Sequence, residues 1–321
     1  MSKETGSHSP PARHHLSINS TAIKAIFILA VFTLGLGSGY SMGRHAEGEI
    51  ASPTASPEAN DATAMIHQIN PPDGYTIPAT FGDIGPQMVA AGAIDYAQFV
   101  QLYEETGKPL SNEELTILTR GSNSQVVINQ DNAQFLLNFF WAFGLTNQNK
   151  ILTEGPIMAK GKDQVGNFAS TGGWTIGAKP ATELFASTMM VSLTDEQQAR
   201  LLEVASTVYR PCCNNPTHFP DCNHGMAMLG LLELMASQNA SADEMYSAAK
   251  YVNAFWYPQQ MLEIATVFKV SQNADFAQAD ASQVVSGQYS SSQGFQAVHQ
   301  WLSTNGLLEQ APSSSGSCGV R

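Results

Sequence analysis

The chain has 321 residues, 43% of them hydrophobic, which suffices for one large or two ordinary globular domains without covalent staples. Against 15 Lys+Arg stand 27 Asp+Glu, a formal charge of -12. No stretch gathers basic residues, which excludes a nucleic-acid partner, because affinity for phosphate backbones rests mainly on clustered Lys and Arg.

Residues 1–24 form a polar leader carrying Lys3, Arg13, His14, His15 and Lys24. The apolar run Ala25 to Leu36 follows, and with its weaker extension residues 25–42 read as a signal-anchor. The apolar span, roughly 16 to 18 residues, is at the lower limit for crossing a bilayer. Neither a small-x-small cleavage site nor a lipobox cysteine follows it. Basic residues precede the run, while Glu47, Glu49, Glu58 and Asp61 come after Arg44, so the positive-inside rule places the leader in the cytoplasm and the rest outside. The expectation is a single-pass cell-membrane protein with its bulk extracytoplasmic; the alternative is a product secreted after signal cleavage. In both, the cysteines meet an oxidising compartment.

Residues 43–68, rich in Ala, Ser, Pro and Glu, read as a flexible linker, and residues 311–321 as a flexible tail that carries Cys318. Between them, residues 69–310 read as a mainly α, irregular multi-helix globular domain. Ser111…Glu114, Thr194…Gln197 and Ser241…Glu244 have capping-box spacing ahead of helix-compatible segments. Asp131…Gln134 introduces the run Phe135 to Gly144, apolar nearly all round and closed by Gly, a buried central helix with Phe135, Leu136, Phe139, Phe140 and Trp141 in the core. Further helices are expected at Gln197–Tyr209, stopped by Arg210-Pro211, then near His224–Ser237, after Ser241 with a break at Pro258, and around Phe295–Leu302. The best strand candidate is Gln125 to Asn129. Gly161 to Trp174 lacks P-loop spacing and reads as a turn-rich connector with Trp174 packed inward.

The chemistry concentrates in Arg210-Pro-Cys-Cys-Asn-Asn-Pro-Thr-His-Phe-Pro-Asp-Cys-Asn-His-Gly225, which holds three of the four cysteines. Pro211, Pro216 and Pro220 forbid a regular helix, so the segment can fold back until side chains converge. Thiolate and imidazole are the donors that bind zinc, copper or iron. The spacing Cys213-x4-His218-x3-Cys222-x-His224 offers zinc a set of two cysteines and two histidines, with Cys212 spare. Cys212 or Cys213 with Cys222, Cys318 and a histidine would instead suit copper or an iron–sulfur cluster. With Asn223 as N-cap, Cys222 and His224 can both reach one ion, and Cys222 lies at the positive end of the helix dipole, which favours the thiolate. Met226 and Met228 read as core residues, and His299 as structural.

No C-x-x-C, haem-attachment, H-E-x-x-H, serine-elbow or paired-carboxylate motif is present. The resulting expectation is a membrane-anchored extracytoplasmic metal-binding protein with Cys212, Cys213, His218, Cys222, His224 and Cys318 as ligand candidates, serving metal handling, sensing or electron transfer. The alternatives are a thiol–disulfide oxidoreductase with Cys222 attacking, and a disulfide-stapled binding or scaffold protein.

Overall fold

The computed structural model describes residues 59–308. The apolar run Ala25 to Leu36, the leader and Cys318 lie outside them. No helix among the described residues is long and apolar enough to cross a membrane.

The described part is mainly helical. Its helices of eight residues or more are α1 (Ala59–Ile69), α2 (Ile84–Ala91), α3 (Tyr96–Glu105), α4 (Asn112–Arg120), α5 (Ala133–Thr146), α6 (Asp195–Thr207), α7 (Asn223–Ser237), α8 (Ala242–Trp256), α9 (Pro258–Gln272) and α10 (Ser292–Asn305). β1 (Tyr75–Gly82) and β2 (Ser122–Ile128) pair antiparallel in a two-stranded sheet, with α2, α3 and α4 in the connection between them. Shorter turns of helix fill residues 150–184, and Trp174 is buried there, its indole N–H donating to the Ala93 carbonyl at 2.8 Å.

Local signals set most boundaries. All three capping boxes form, Ser111 with Glu114, Thr194 with Gln197 and Ser241 with Glu244, each satisfying two backbone N–H groups left unpaired by the helix start. Pro258 opens α9 at its first position, where a missing N–H costs nothing, so α8 and α9 are separate helices. At the first helix and the first strand the structure differs from the sequence reading. Residues 59–68, linker-like in composition, belong to α1, whose Met65 and Ile66 pack against the core. β1, with Ile77, Ala79 and Phe81 buried on one face, pairs with β2 but is interrupted by Pro78, and the register shifts between Ile77 and Thr80. The Gln238 side chain serves the edge there, accepting from the Thr80 N–H and donating to its carbonyl, both at 2.8 Å.

The core is organised by α5 lying on α7. Phe135, Leu136, Phe139, Phe140 and Trp141 are all buried, as the apolar run predicts, and the rings of Phe135, Phe139 and Phe140 meet at centroid distances of 5.4–5.6 Å. Gly144 does not end the helix. α5 continues to Thr146, because Gly144 faces Gly230 of α7 where the two backbones touch: a Cβ on Gly144 would sit 2.2 Å from the Met226 carbonyl oxygen, and one on Gly230 would sit 2.5 Å from that of Phe140. Met226 and Met228 are fully buried core residues.

Two buried charge-bearing side chains lock the surroundings of this crossing. Asn147 accepts from the Met190 and Val191 N–H groups and donates to Glu233 Oε2 at 2.9 Å, tying α5, α7 and the 188–191 segment together. Burial, outweighing the lowering effect of the Asn147 bond, pushes the Glu233 carboxyl well above its ordinary range, which favours the neutral acid. Lys250, on α8, points its Nζ at the carbonyls of Phe276, Ala277 and Ala279 at 2.8, 3.5 and 3.2 Å, and lies over the Phe276 ring.

Burial lowers the Lys250 amine to about 8, with Asp280 acting in the opposite sense. The unfolded chain, with an ordinary lysine near 10.5, therefore holds this proton more tightly than the folded one. Stability should rise as pH increases from about 8 toward 10.5, where the buried amine becomes neutral. The measurement is the urea midpoint of wild type relative to Lys250→Met at pH 7.5 and 9.5. The gap should widen in favour of wild type at the higher pH, and a constant gap would contradict the assignment.

Candidate metal centre

The Cys/His segment runs from the end of α6 to the start of α7 and is pinned at both ends. The Thr217 N–H donates to the Val208 carbonyl and the His218 N–H to that of Ala205, both at 2.8 Å, folding the segment back on the last turn of α6. Tyr209 bonds the Val285 carbonyl through its N–H, and Asn253 of α8 donates to the Tyr209 carbonyl at 2.9 Å. The prolines leave few backbone donors, so an internal cation does the rest of the holding.

That cation is Arg210, fully buried. One guanidinium nitrogen, Nη1, donates to the Asn215 carbonyl at 3.0 Å and to Thr217 Oγ1 at 3.4 Å. The other, Nη2, reaches Cys213 Sγ at 3.1 Å, Cys222 Sγ at 3.3 Å and Asp221 Oδ1 at 3.5 Å. Asp221 is held in turn by Asn215, whose amide donates to its other oxygen at 2.7 Å. Gly225 makes the room: a Cβ there would stand 2.4 Å from Arg210 Nη2.

Around this fork three sulfur atoms converge. Cys222 Sγ lies 3.6 Å from Cys212 Sγ and 3.8 Å from Cys213 Sγ, and all three fall within 4.8 Å of one another. None is in a disulfide, and Cys212 is the exposed member. The N-cap of α7 is Cys222 itself and not Asn223, which forms the first helical position; the Gly225 N–H donates to Cys222 Sγ at 3.3 Å. A large, polarisable sulfur thus takes the place usually held by a Ser or Asp oxygen.

The electrostatics single out Cys222. Hydrogen bonds from the Cys212 and Cys213 thiols, followed by the Arg210 charge, hold it well below the ordinary thiol range despite its burial. Its bonds to Cys213 and Cys222, together with burial, push the Cys212 thiol up. In Cys213 the bond to Cys212 pulls down, but the bond to Cys222 and burial outweigh it, leaving this thiol raised to about 11. Among the three sulfurs, Cys222 is therefore the one whose surroundings, two neighbouring thiols and a guanidinium, favour the thiolate.

The two histidines of the segment do not join the group of mutually close donors. His224 is buried, its ring 4.7 Å from that of Tyr257 and 5.5 Å from that of Trp256, with Nδ1 3.0 Å from Asn223 Oδ1. Burial lowers it to about 4, so it is neutral at physiological pH. The mixed cysteine–histidine arrangement expected from spacing is accordingly replaced by three cysteines, Cys212 among them in place of spare, because His224 points into the aromatic layer between α7 and the α8–α9 junction. Tyr257 closes the same wall; burial and the neighbouring Cys212 and Cys222 sulfurs push its phenol well above the ordinary range. His299 lies apart on α10, paired with the buried Glu263 at 2.8 Å.

Sequence reasoning did not single out Arg210 or Tyr257. Arg210 stood in the sequence as a helix stop, and a charged residue directly before a Pro-Cys-Cys run was the available signal for it.

No protein-family model matches the chain, nor does any curated protein or solved structure. The cluster of Cys212, Cys213 and Cys222 could bind a metal ion on its donor chemistry alone.

Proposed function

We propose that this is a membrane-anchored extracytoplasmic protein that handles a thiophilic metal, holding a single zinc or copper ion through Cys212, Cys213 and Cys222. The observation that carries the reading is the spacing of the sulfurs. Metal–sulfur bonds of about 2.3 Å at tetrahedral angles put their sulfur atoms about 3.8 Å apart, and the distances from Cys222 are 3.6 and 3.8 Å. An iron–sulfur cluster distributes its thiolates over several irons and spaces most of them more widely, so one ion fits better than a cluster. The buried Arg210 offsets part of the charge that three thiolates would bring together. The anchor and the compartment rest on the apolar run Ala25 to Leu36 and the basic leader before it.

A second reading, thiol–disulfide exchange, is favoured by one observation: Cys222 caps a helix N-terminus with its sulfur within 3.8 Å of the Cys212 and Cys213 sulfurs, in surroundings that favour its thiolate. Metal analysis and thiol counting separate the two on full-length protein purified anaerobically from the membrane fraction. About one metal ion per chain is expected for one four-coordinate site, with the three thiols shielded from alkylation until a chelator is added. Metal-free protein whose thiols convert reversibly to a Cys222 disulfide in a glutathione buffer would overturn metal handling in favour of exchange.

A further inference from the structure

Three sulfur ligands leave a tetrahedral zinc ion one position to fill, and the walls of the sulfur group differ in what they offer there. Arg210 Nη2 forms one wall, reaching Cys213 Sγ and Cys222 Sγ at 3.1 and 3.3 Å. Tyr257 forms another: its phenol stands against Cys212 and Cys222, and Cys212 is the exposed member of the three. The neighbouring donors are committed elsewhere, His224 to Asn223 and to the Trp256 and Tyr257 rings, and the Asp221 carboxylate to Asn215 and Arg210.

Tyr257 is held in place by two helices. It is the one residue between α8 and α9, its N–H donating to the Asn253 carbonyl at 2.7 Å and its carbonyl accepting from the Met261 N–H at 2.9 Å. The side chain is buried, with the His224 ring 4.7 Å away, yet its hydroxyl has no hydrogen-bond partner among the described residues. Buried polar atoms are almost always paired, and an unmet one costs the free energy of its lost hydration. A phenylalanine would close the same wall without that cost, so packing alone does not account for the hydroxyl. A ligand that arrives beside the sulfurs does.

We propose that the ion keeps its fourth position open to an exogenous small anion, and that Tyr257 is the specificity-determining residue whose hydroxyl donates a hydrogen bond to that anion; this rests on the metal reading above. An open fourth position marks metal sites that exchange ligands, whereas sites closed by four protein ligands hold their ion for structure. The guest has to bind the metal through one lone pair and accept the phenol O–H with another, as hydroxide, azide and small thiolates can. A hydrogen bond from a buried hydroxyl is strongest to a charged acceptor, which selects an anion over a neutral guest. On binding, the anion's lone pair forms the new metal bond and a water leaves the ion for solvent, so no oxidant or reductant is required. The exposed Cys212 marks the side from which the anion arrives.

The test loads the reduced full-length chain with Co(II) under argon and titrates it with sodium azide, comparing wild type with Tyr257→Phe. Azide should shift the visible bands of the wild-type cobalt protein in a saturable way. The near-ultraviolet tyrosine absorption should move to the red with the same half-saturation, as the phenol gains an acceptor. In Tyr257→Phe the tyrosine change should vanish and the azide affinity should fall about 10-fold, the loss of one hydrogen bond to a charged group. Visible bands that azide leaves unchanged in wild type would mean a closed site and overturn the proposal while leaving the three-cysteine site standing. Equal azide affinity in the two proteins, or no tyrosine shift in wild type, would take Tyr257 out of the site and overturn it as well. Should Tyr257→Phe fail to load cobalt, the wild-type tyrosine shift decides alone. Wild type with no sulfur-to-cobalt charge-transfer band at all would overturn the metal reading itself, and this proposal with it.

Discussion

Gly230→Ala should lower the unfolding free energy by about 3 kcal/mol, the cost of forcing an extra carbon into a closed contact. Two effects oppose each other here, and their sizes decide the sign. Replacing a mid-helix Gly by Ala ordinarily gains about 1 kcal/mol, because the unfolded chain loses freedom and the helix gains a good former. At position 230, however, the new Cβ would meet the Phe140 carbonyl oxygen at 2.5 Å and the Gly144 nitrogen at 2.8 Å. Those atoms are backbone in the middle of α5 and cannot swing aside, so the helices must separate, opening the core packing on either side of the crossing. Gly144→Ala should cost about as much for the same reason, with a would-be contact of 2.2 Å to the Met226 carbonyl oxygen. Because both act at one contact, the double variant should be less destabilised than the sum of the two. Urea unfolding followed by circular dichroism measures this; a stability equal to or above wild type for Gly230→Ala would mean that the crossing is looser than described.

Cys222→Ser should abolish stoichiometric metal binding while leaving the helical domain folded. Serine is among the best N-cap residues, so the start of α7 keeps its cap and the substitution separates the site from the fold. What is lost is the central sulfur, the one near both others and bonded by Arg210. The affinity should fall by more than the roughly 10- to 100-fold that loss of an outer-shell partner costs, since a direct ligand is gone. Dialysed protein assayed for zinc and copper gives the answer. Full metal occupancy in a folded Cys222→Ser protein would place the ion elsewhere and discard the three-cysteine site.

What could be read from the chain depended on how local each signal is. The capping boxes at Ser111, Thr194 and Ser241 were legible because their hydrogen bonds close within four residues. The same holds for the break at Pro258 and for the all-round apolar run that becomes α5. β1 was not legible: Pro78 interrupts its alternation, and its irregular edge is satisfied by Gln238, more than 150 residues away. Gly144 read as a helix end because glycine most often serves that purpose; that it is instead a contact point depends on Gly230, which no local pattern links to it.

The cysteine-rich loop divides in the same way. By itself the sequence determined that Cys212, Cys213 and Cys222 lie in one non-helical, proline-broken segment between two helices, since composition and proline geometry act over a few bonds. It also determined that Cys222 sits at a helix start, where the dipole and the free N–H groups favour a thiolate. Only the tertiary structure decided which donors meet. Burial of Arg210 beneath Gly225 draws two of the sulfurs to one cation, while the rings of Trp256 and Tyr257 take His224 out of the set. Ligand spacing along a chain limits what can reach a common point. Which side chains do reach it follows from the walls around that point, and those walls come from α8 and α9, distant in sequence from the loop they enclose.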